Sequence, residues 1–311
     1  MEDAIPPIPA TTRVAVVTGG NKGIGLEVCR QLASNKGLIV VLTARNDQRG
    51  ASAVQKLKEA GHSNVIFHQL DTTDALSISR LADFLKSRFG RIDILVNNAA
   101  LGGVEYVQDP AYSSTSSELE LRGMNKQQMA EWMFSKVKET LDAAKEGLRT
   151  NYYGNKAVTQ ALLPLLKASS DGRIVFVSSD YGLIGQLKDE ELKKELDDIE
   201  RLTEERLDEM LATYLKDFEA GALAARGWPT NFSAYKVGAV AMNAYARITA
   251  RMHPELRVNC ANPGYVRTDM SVYSGSLTPA EGASNLLKVA LLPEGGPTGS
   301  YFSDGQVASF V

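Results

Sequence analysis

The sequence predicts an α/β fold: a doubly wound parallel sheet with helices on both faces and two helical insertions. Three observations predict it. Short β-branched runs alternate with stretches of helical apolar spacing along most of the chain. The runs are apolar on successive residues, as strands covered on both faces must be. The first run ends in a cluster of glycines that opens the first helix.

The elements follow in order. Residues 13–18 (RVAVVT) form the first strand, and residues 24–34 have helical apolar spacing. Residues 38–44 (LIVVLTA) are the second strand, 47–60 a helix, and 65–69 the third strand. Residues 73–89 read as a helix with Thr and Asp at its start and Gly90 at its end. Residues 92–97 (IDILVN), 173–178 (RIVFVS) and 256–261 (LRVNCA) continue the series. The expected strand order is 3-2-1-4-5-6, extended by residues 299–302.

Two insertions interrupt the pattern, at about 101–142 and about 185–229. In the second, Leu192, Leu196, Ile199, Leu207, Leu211, Leu215 and Phe218 recur at threes and fours, so a charged helix or helix pair is expected. Thr203 fits an internal N-cap, with Glu204 and Glu205 in the first turn. The pair reads as a flap over a pocket or as a surface decoration with a solvated face. Residues 13–311 are expected to form a single domain behind a disordered lead-in, residues 1–12.

Composition excludes several classes. The chain has 311 residues, 44% of them apolar, which supports a sizeable core. A net charge of −3 argues against a nucleic-acid partner. No apolar stretch approaches the length of a membrane span, and the proline-bearing lead-in resembles neither a signal peptide nor an anchor. Cys29 and Cys260 fall in a helix and a strand and read as small buried hydrophobes, which suits a reducing, cytoplasmic setting. No metal site is expected.

Residues 18–25 (TGGNKGIG) close the first strand and open the first helix. Gly19, Gly23 and Gly25 permit a tight turn and close approach of the backbone to a pyrophosphate, with Asn21 and Ile24 in the same loop. The helix N-terminus then faces that anion. A carboxylate for a ribose 2′-hydroxyl is missing at the end of the second strand. Arg45 and Arg49 stand there instead, with Lys22 in the glycine loop. Three cations suit a 2′-phosphate, so NADPH/NADP+ is the expected cofactor on a Rossmann-type sheet.

TGGNKGIG, LDTTD, NNAA at 97–100, Asn151, VSS at 177–179, Tyr235 and NPGYVRT at 262–268 occur in that order. Together they resemble the classical short-chain dehydrogenase/reductases, over nearly the whole chain from Val14. The long gap between Ser179 and Tyr235, with FHQLD, LADF and NYYG, resembles the plant branch of salutaridine reductase, menthone reductases and neomenthol dehydrogenases. The resemblance implies that Tyr235 donates a proton to the carbonyl oxygen, that Ser179 hydrogen-bonds that oxygen, and that Asn151 anchors a proton-relay water. It implies that Asp71 and Thr72 neighbour the adenine and that Asn97 and Ala99 pass the ribose. Pro263, Val266 and Thr268 would hold the nicotinamide carboxamide. Two departures stand out: the usual Gly after NNA is Ala100, and the family lysine four residues after the tyrosine is Ala239.

Hydride addition to a ketone leaves an alkoxide that needs a proton and stabilisation. A phenol titrates near pH 10, and a nearby ammonium lowers such a value by roughly 1–3 units, about 1.4–4 kcal/mol. Positions i and i+4 share a helix face, so a lysine at 239 would reach the Tyr235 side of the site. Lys236 points about 100° away and reads as a solvated helix lysine. With alanine there, proton transfer and cofactor orientation should suffer by ~10²–10⁴-fold. Deliberate substitution in an otherwise active reductase and natural divergence both remain open origins for Ala239.

Pocket walls are expected from Val104 and Tyr106, from Tyr181 and Leu183, and from Tyr265, Met270 and Tyr273. These are mostly apolar or aromatic and favour a bulky apolar ketone; the resemblance suggests terpenoid or alkaloid ketones, reduced to secondary alcohols. It also suggests a monomer, because in this branch the first insertion tends to cover a helix face used for association. Three functions stay in play: an NADPH-dependent carbonyl reductase, a nucleotide-binding pseudo-reductase, and a non-redox catalyst that uses Tyr235 as an acid.

Overall fold

The computed structural model describes residues 11–107, 120–121 and 123–311. The lead-in expectation for residues 1–12 therefore falls, up to residue 10, outside the described residues. The first half runs β1 (Arg13–Val17), α1 (Gly23–Ala33), β2 (Leu38–Ala44), α2 (Asp47–Glu59), β3 (Val65–Gln69), α3 (Ala75–Phe89) and β4 (Ile94–Asn97). The first insertion then carries β5 (Glu105–Tyr106), α4 (Lys126–Ser135) and β6 (Val137–Lys138). Next come α5 (Leu141–Leu148), α6 (Asn155–Lys167) and β7 (Arg173–Val177). The second insertion holds α7 (Glu190–Asp197) and α8 (Glu204–Glu219). The chain continues with α9 (Ser233–Met252), β8 (Arg257–Asn262), α10 (Pro279–Ala290), β9 (Tyr301–Ser303) and β10 (Gln306–Ala308).

The main sheet has the order β10-β9-β8-β7-β4-β1-β2-β3 and is parallel except for the β9–β10 hairpin. From β3 to β8 this is the expected doubly wound order. Alternation on β1 shows how both faces are covered. Val14 and Val16 enter one core with Leu148, Leu162 and Val240, while Ala15 and Val17 enter the other with Val28, Leu32 and Leu286. Among the described residues no helix is long and apolar enough to cross a membrane. Cys29 and Cys260 are free thiols buried in these cores.

Several boundaries differ from the sequence reading for local reasons. The helix expected from 73 begins at Ala75, because the Asp74 carboxylate caps the Leu76 N–H at 3.0 Å and Thr73 instead bonds Asp71. The fourth strand begins at Ile94 rather than 92. The extension at 299–302 becomes Tyr301–Ser303, and Asp304 and Gly305, at φ 52° and 76°, turn the chain into β10.

The described residues of the two insertions depart from the placements expected of them. Among the described residues, the first carries a strand pair beside its helix: Glu105–Tyr106 pairs antiparallel with Val137–Lys138. Its Met133, with Phe134 and Val137, packs against Phe232, Val272 and Tyr235. The second is neither a flap nor a decoration. Thr203 caps α8 as expected, and Leu207, Met210, Leu211 and Tyr214 are buried in the main core against α5 and α9. Lys156 of α6 pairs with Glu204 and Asp208 at 3.2 and 3.0 Å. Thus, among the described residues, helix α8 of the second insertion covers the face of α5 and α9.

Candidate active site

The site lies where the parallel strands end. After Thr18 the backbone turns through Gly19 (φ 64°) and Gly23 (φ 54°), conformations that disfavour any side chain. A Cβ on Gly25 would fall 2.5 Å from the Gly19 carbonyl oxygen and against the Asn98 amide. Asn98 laces this loop: its Nδ2 donates to the carbonyls of Thr18 (2.9 Å) and Gly19 (3.2 Å). The Thr18 hydroxyl accepts the N–H groups of Asn98 and Ala99, both at 2.9 Å. No side chain caps α1 at Lys22, so its first N–H groups are free to face an anion. Asn21 and Ile24 flank that opening.

Arg45 and Arg49 are exposed at the end of β2 and the first turn of α2. Lys22 does not join them. It forms an ion pair with Asp269, which also accepts the Tyr273 hydroxyl at 2.5 Å. The expected cluster of three cations is therefore two arginines, with Lys22 tied to the opposite loop. Burial raises the Asp71 carboxyl, but the N–H and hydroxyl of Thr73, with Arg45 and Arg149, outweigh it and hold the carboxyl below its usual range. Thr72 is buried against Gly154. Asn97 turns inward, its Nδ2 donating to Thr159 at 2.9 Å. Its side chain braces the core, and its neighbour Asn98, which the sequence reading passed over, takes the polar role at the loop.

Tyr235 is the third residue of α9 and half-buried. Burial pushes its phenol up; the Ser179 hydroxyl pulls weakly the other way. Ser179 accepts the Tyr181 N–H at 3.2 Å. Behind it, Ser178 donates to Asn243 (2.6 Å) and Asn243 to the Gly182 carbonyl (2.8 Å), which fixes the loop after β7. Asn243, like Ala239, stands on the Tyr235 face of the helix, a pattern visible in the i, i+4, i+8 spacing. Ala239 is buried and brings no charge to the phenol. The Lys236 amine lies 4.9 Å from the centre of the Tyr181 ring, and burial lowers its pKa against the pull of Glu139. It is half-buried, not solvated as expected.

Asn151 sits in a π-helical turn, Arg149–Gly154, between α5 and α6. Its amide is taken up by Leu101: Oδ1 accepts the Leu101 N–H at 2.7 Å and Nδ2 donates to the Leu101 carbonyl at 2.8 Å. Asn155 donates to the Asn151 carbonyl at 2.8 Å. The Asn151 side chain thus fastens the loop after β4.

The loop after β8 closes the other side. Val266 is buried, its carbonyl accepting the Ser271 hydroxyl at 2.8 Å, and Asn285 donates to the Pro263 carbonyl at 3.3 Å. Thr268 approaches Gly23, its Cγ2 lying 3.4 Å from where a Cβ would stand. The Tyr106 hydroxyl donates to the Met270 carbonyl at 3.2 Å, and burial pushes that phenol up to about 12. Val104 and Tyr106 pack in one apolar cluster with Tyr235, and the Tyr181 ring meets Tyr235 edge-on at 6.2 Å. Tyr181 and Tyr265 are exposed. Leu183 instead packs against the main core, away from this wall.

A family profile for short chain dehydrogenase matches residues 13–188. The chain is 45% identical to (-)-isopiperitenone reductase of Mentha piperita, covering 93% of this chain and 96% of that protein. It is 37% identical to carbonyl reductase (NADPH) 1 of Homo sapiens, covering 94% and 97%. The solved structure of salutaridine reductase from Papaver somniferum matches with a TM-score of 0.86 at 42% identity, over 93% of this chain and 99% of that one. The profile covers more than half of the chain and these likenesses run nearly its full length, so the protein belongs to the short-chain dehydrogenase/reductase family.

Proposed function

We propose that the chain is an NADPH-dependent reductase of bulky apolar ketones, of the terpenoid or alkaloid class, to secondary alcohols, slowed by Ala239. The observation that carries this reading is Tyr235, with Ser179 beside it, at the edge of an apolar wall made by Val104 and Tyr106. The residues fit the dinucleotide: the tight turn at Gly19 and Gly23, the N-terminus of α1 without a side-chain cap and two exposed arginines suit a pyrophosphate and a 2′-phosphate. When bound, NADPH supplies the hydride. Gly19 to Gly25 hold the pyrophosphate, Arg45 and Arg49 the 2′-phosphate, and Pro263, Val266 and Thr268 the carboxamide. Ser179 orients the carbonyl oxygen, and Tyr235 gives it a proton. Names of relatives that are reductases, one of them marked NADPH, support the assignment.

The test is NADPH consumption with a panel of ketones, comparing this chain with Ala239→Lys. Turnover that rises by orders of magnitude supports the reading. One observation favours a second one: a phenol pushed upward with no ammonium beside it suits a nucleotide-binding protein with little turnover. NADPH binding without turnover in either form would select it. Product formed without NADPH loss would instead mark a non-redox use of Tyr235. We further propose a monomer, because α8 already covers the helix face of α5 and α9, and a cytoplasmic setting, which suits two unpaired buried thiols.

A further inference from the structure

We propose that Glu139 is a positioning residue for Tyr235, acting through the first turn of its helix. Helix α9 starts without a cap of its own: Phe232, at its N-cap, is left-handed (φ 49°, ψ 41°) and makes no side-chain cap bond. Glu139, in the segment that joins the first insertion to α5, supplies the cap from outside. Its Oε1 accepts the Phe232 N–H at 2.7 Å, and its Oε2 accepts the Ser233 N–H at 2.9 Å and the Ser233 hydroxyl at 2.5 Å. A carboxylate at a helix N-terminus satisfies orphan donors and is favoured by the helix dipole.

Ser233 spends its proton on Glu139, so Tyr214 of α8 must donate to the Ser233 oxygen, at 2.7 Å. Both insertions therefore converge on the residue two positions before Tyr235. Phe134 of the first insertion adds a ring contact to Phe232 at 5.3 Å. Tyr235 stands on the turn so gripped, at the end of a long side chain. A small rotation of that turn displaces its hydroxyl from Ser179, and an ångström of misplacement is costly in catalysis.

The activity arm of the test rests on the reductase reading, and a second arm does not. The full-length chain carrying Ala239→Lys is compared with the same protein bearing Glu139→Gln, Glu139→Asp or Tyr214→Phe. Expected for Glu139→Gln is a fall in kcat of about tenfold, the scale of losing a charged cap, with both KM values within about twofold. Glu139→Asp recovers part of the loss, and Tyr214→Phe costs about threefold. Amide hydrogen exchange should quicken over residues 232–237 and stay unchanged in the sheet. Unchanged exchange in that turn overturns the proposal. So does a Glu139→Gln loss in which exchange quickens throughout the chain and KM and kcat change together. If no ketone is turned over even with Ala239→Lys, the reductase reading fails, and the exchange comparison still decides the role of Glu139.

Discussion

The Lys236 ammonium stands 4.9 Å over the Tyr181 ring, and it is not among the groups that shift the Tyr235 phenol. The one lysine adjacent to Tyr235 in sequence is thus engaged by the Tyr181 ring rather than by the proposed proton donor. Installing Ala239→Lys should raise kcat by ~10²–10⁴-fold. Lys236→Met should leave kcat within about threefold, because a methionine keeps the apolar contact with Tyr181. Steady-state NADPH oxidation measures both. A collapse with Lys236→Met would show that the amine supplies what Ala239 lacks.

The pH profile follows from the same geometry. Burial raises the Tyr235 phenol above its ordinary value of 10.0. In the proposed reaction the neutral phenol is the donor, so its competence is full below that value and persists as pH rises through it. In Ala239→Lys an ammonium one turn away favours the phenolate and should draw the alkaline limb of kcat down by roughly 1–3 units. Superimposable profiles for the two proteins would mean that position 239 does not tune the phenol.

Cofactor binding separates loop shape from charge. Gly25→Ala forces a Cβ against the Gly19 carbonyl, a backbone atom that cannot step aside. It should abolish binding of NADPH and NADH alike. Arg45→Ala should weaken NADPH by about tenfold or more, the usual worth of a charge-assisted hydrogen bond, and leave NADH nearly unchanged. Fluorescence titration with the two dinucleotides reads both outcomes without any turnover.

How much of this was legible in the sequence depends on the range of the interaction involved. The strand order, the glycine turn and the Thr203 cap were readable, because β-branched runs, φ-permissive residues and caps leave local marks; the meeting of Ser179 with Tyr235 leaves no local mark and was implied only by the family resemblance. The β9–β10 hairpin was legible too, in the Asp304–Gly305 pair, and was overlooked. The Lys22–Asp269 pair was not legible, since it joins residues far apart in the chain whose surface charges carry no pattern. The same holds for Asn151: its position was marked, but the partner that occupies its amide, Leu101, is a backbone group that any residue would provide. The insertions were misplaced for a related reason. Apolar spacing shows that α8 has a face to bury and is silent on which surface receives it.

Alkaline conditions should destabilise the fold. Burial raises the phenols of Tyr152, Tyr214, Tyr245 and Tyr301 and the thiols of Cys29 and Cys260. For each group the folded value lies above the unfolded one. Its contribution is therefore complete below the ordinary values of 9.0 for thiols and 10.0 for phenols, and is lost as pH rises toward the folded values. Thermal unfolding scans should show Tm level between pH 7 and roughly 8.5 and falling progressively beyond about 9. A Tm that stays level to pH 11 would contradict the burial of these groups.

The last prediction concerns assembly. Helix α8 presses Leu207, Met210, Leu211 and Tyr214 onto α5 and α9, and its Glu204 and Asp208 clamp Lys156 on α6. A second copy that used this helix face would first have to displace four fully buried side chains, each worth about 1.5–3 kcal/mol of burial. Sedimentation at micromolar concentration should therefore show one species near 33.7 kDa. Leu211→Ala should cost about 2–5 kcal/mol of stability, because a buried leucine leaves a cavity, and the surviving folded protein should still sediment as a monomer while α8 stays docked. Removing residues 190–219 altogether strips the cover, and the exposed apolar face of α5 and α9 should then drive association. A dimer or tetramer of the full chain would show that it associates through another surface, and a monomeric deletion variant would show that this face does not need its cover.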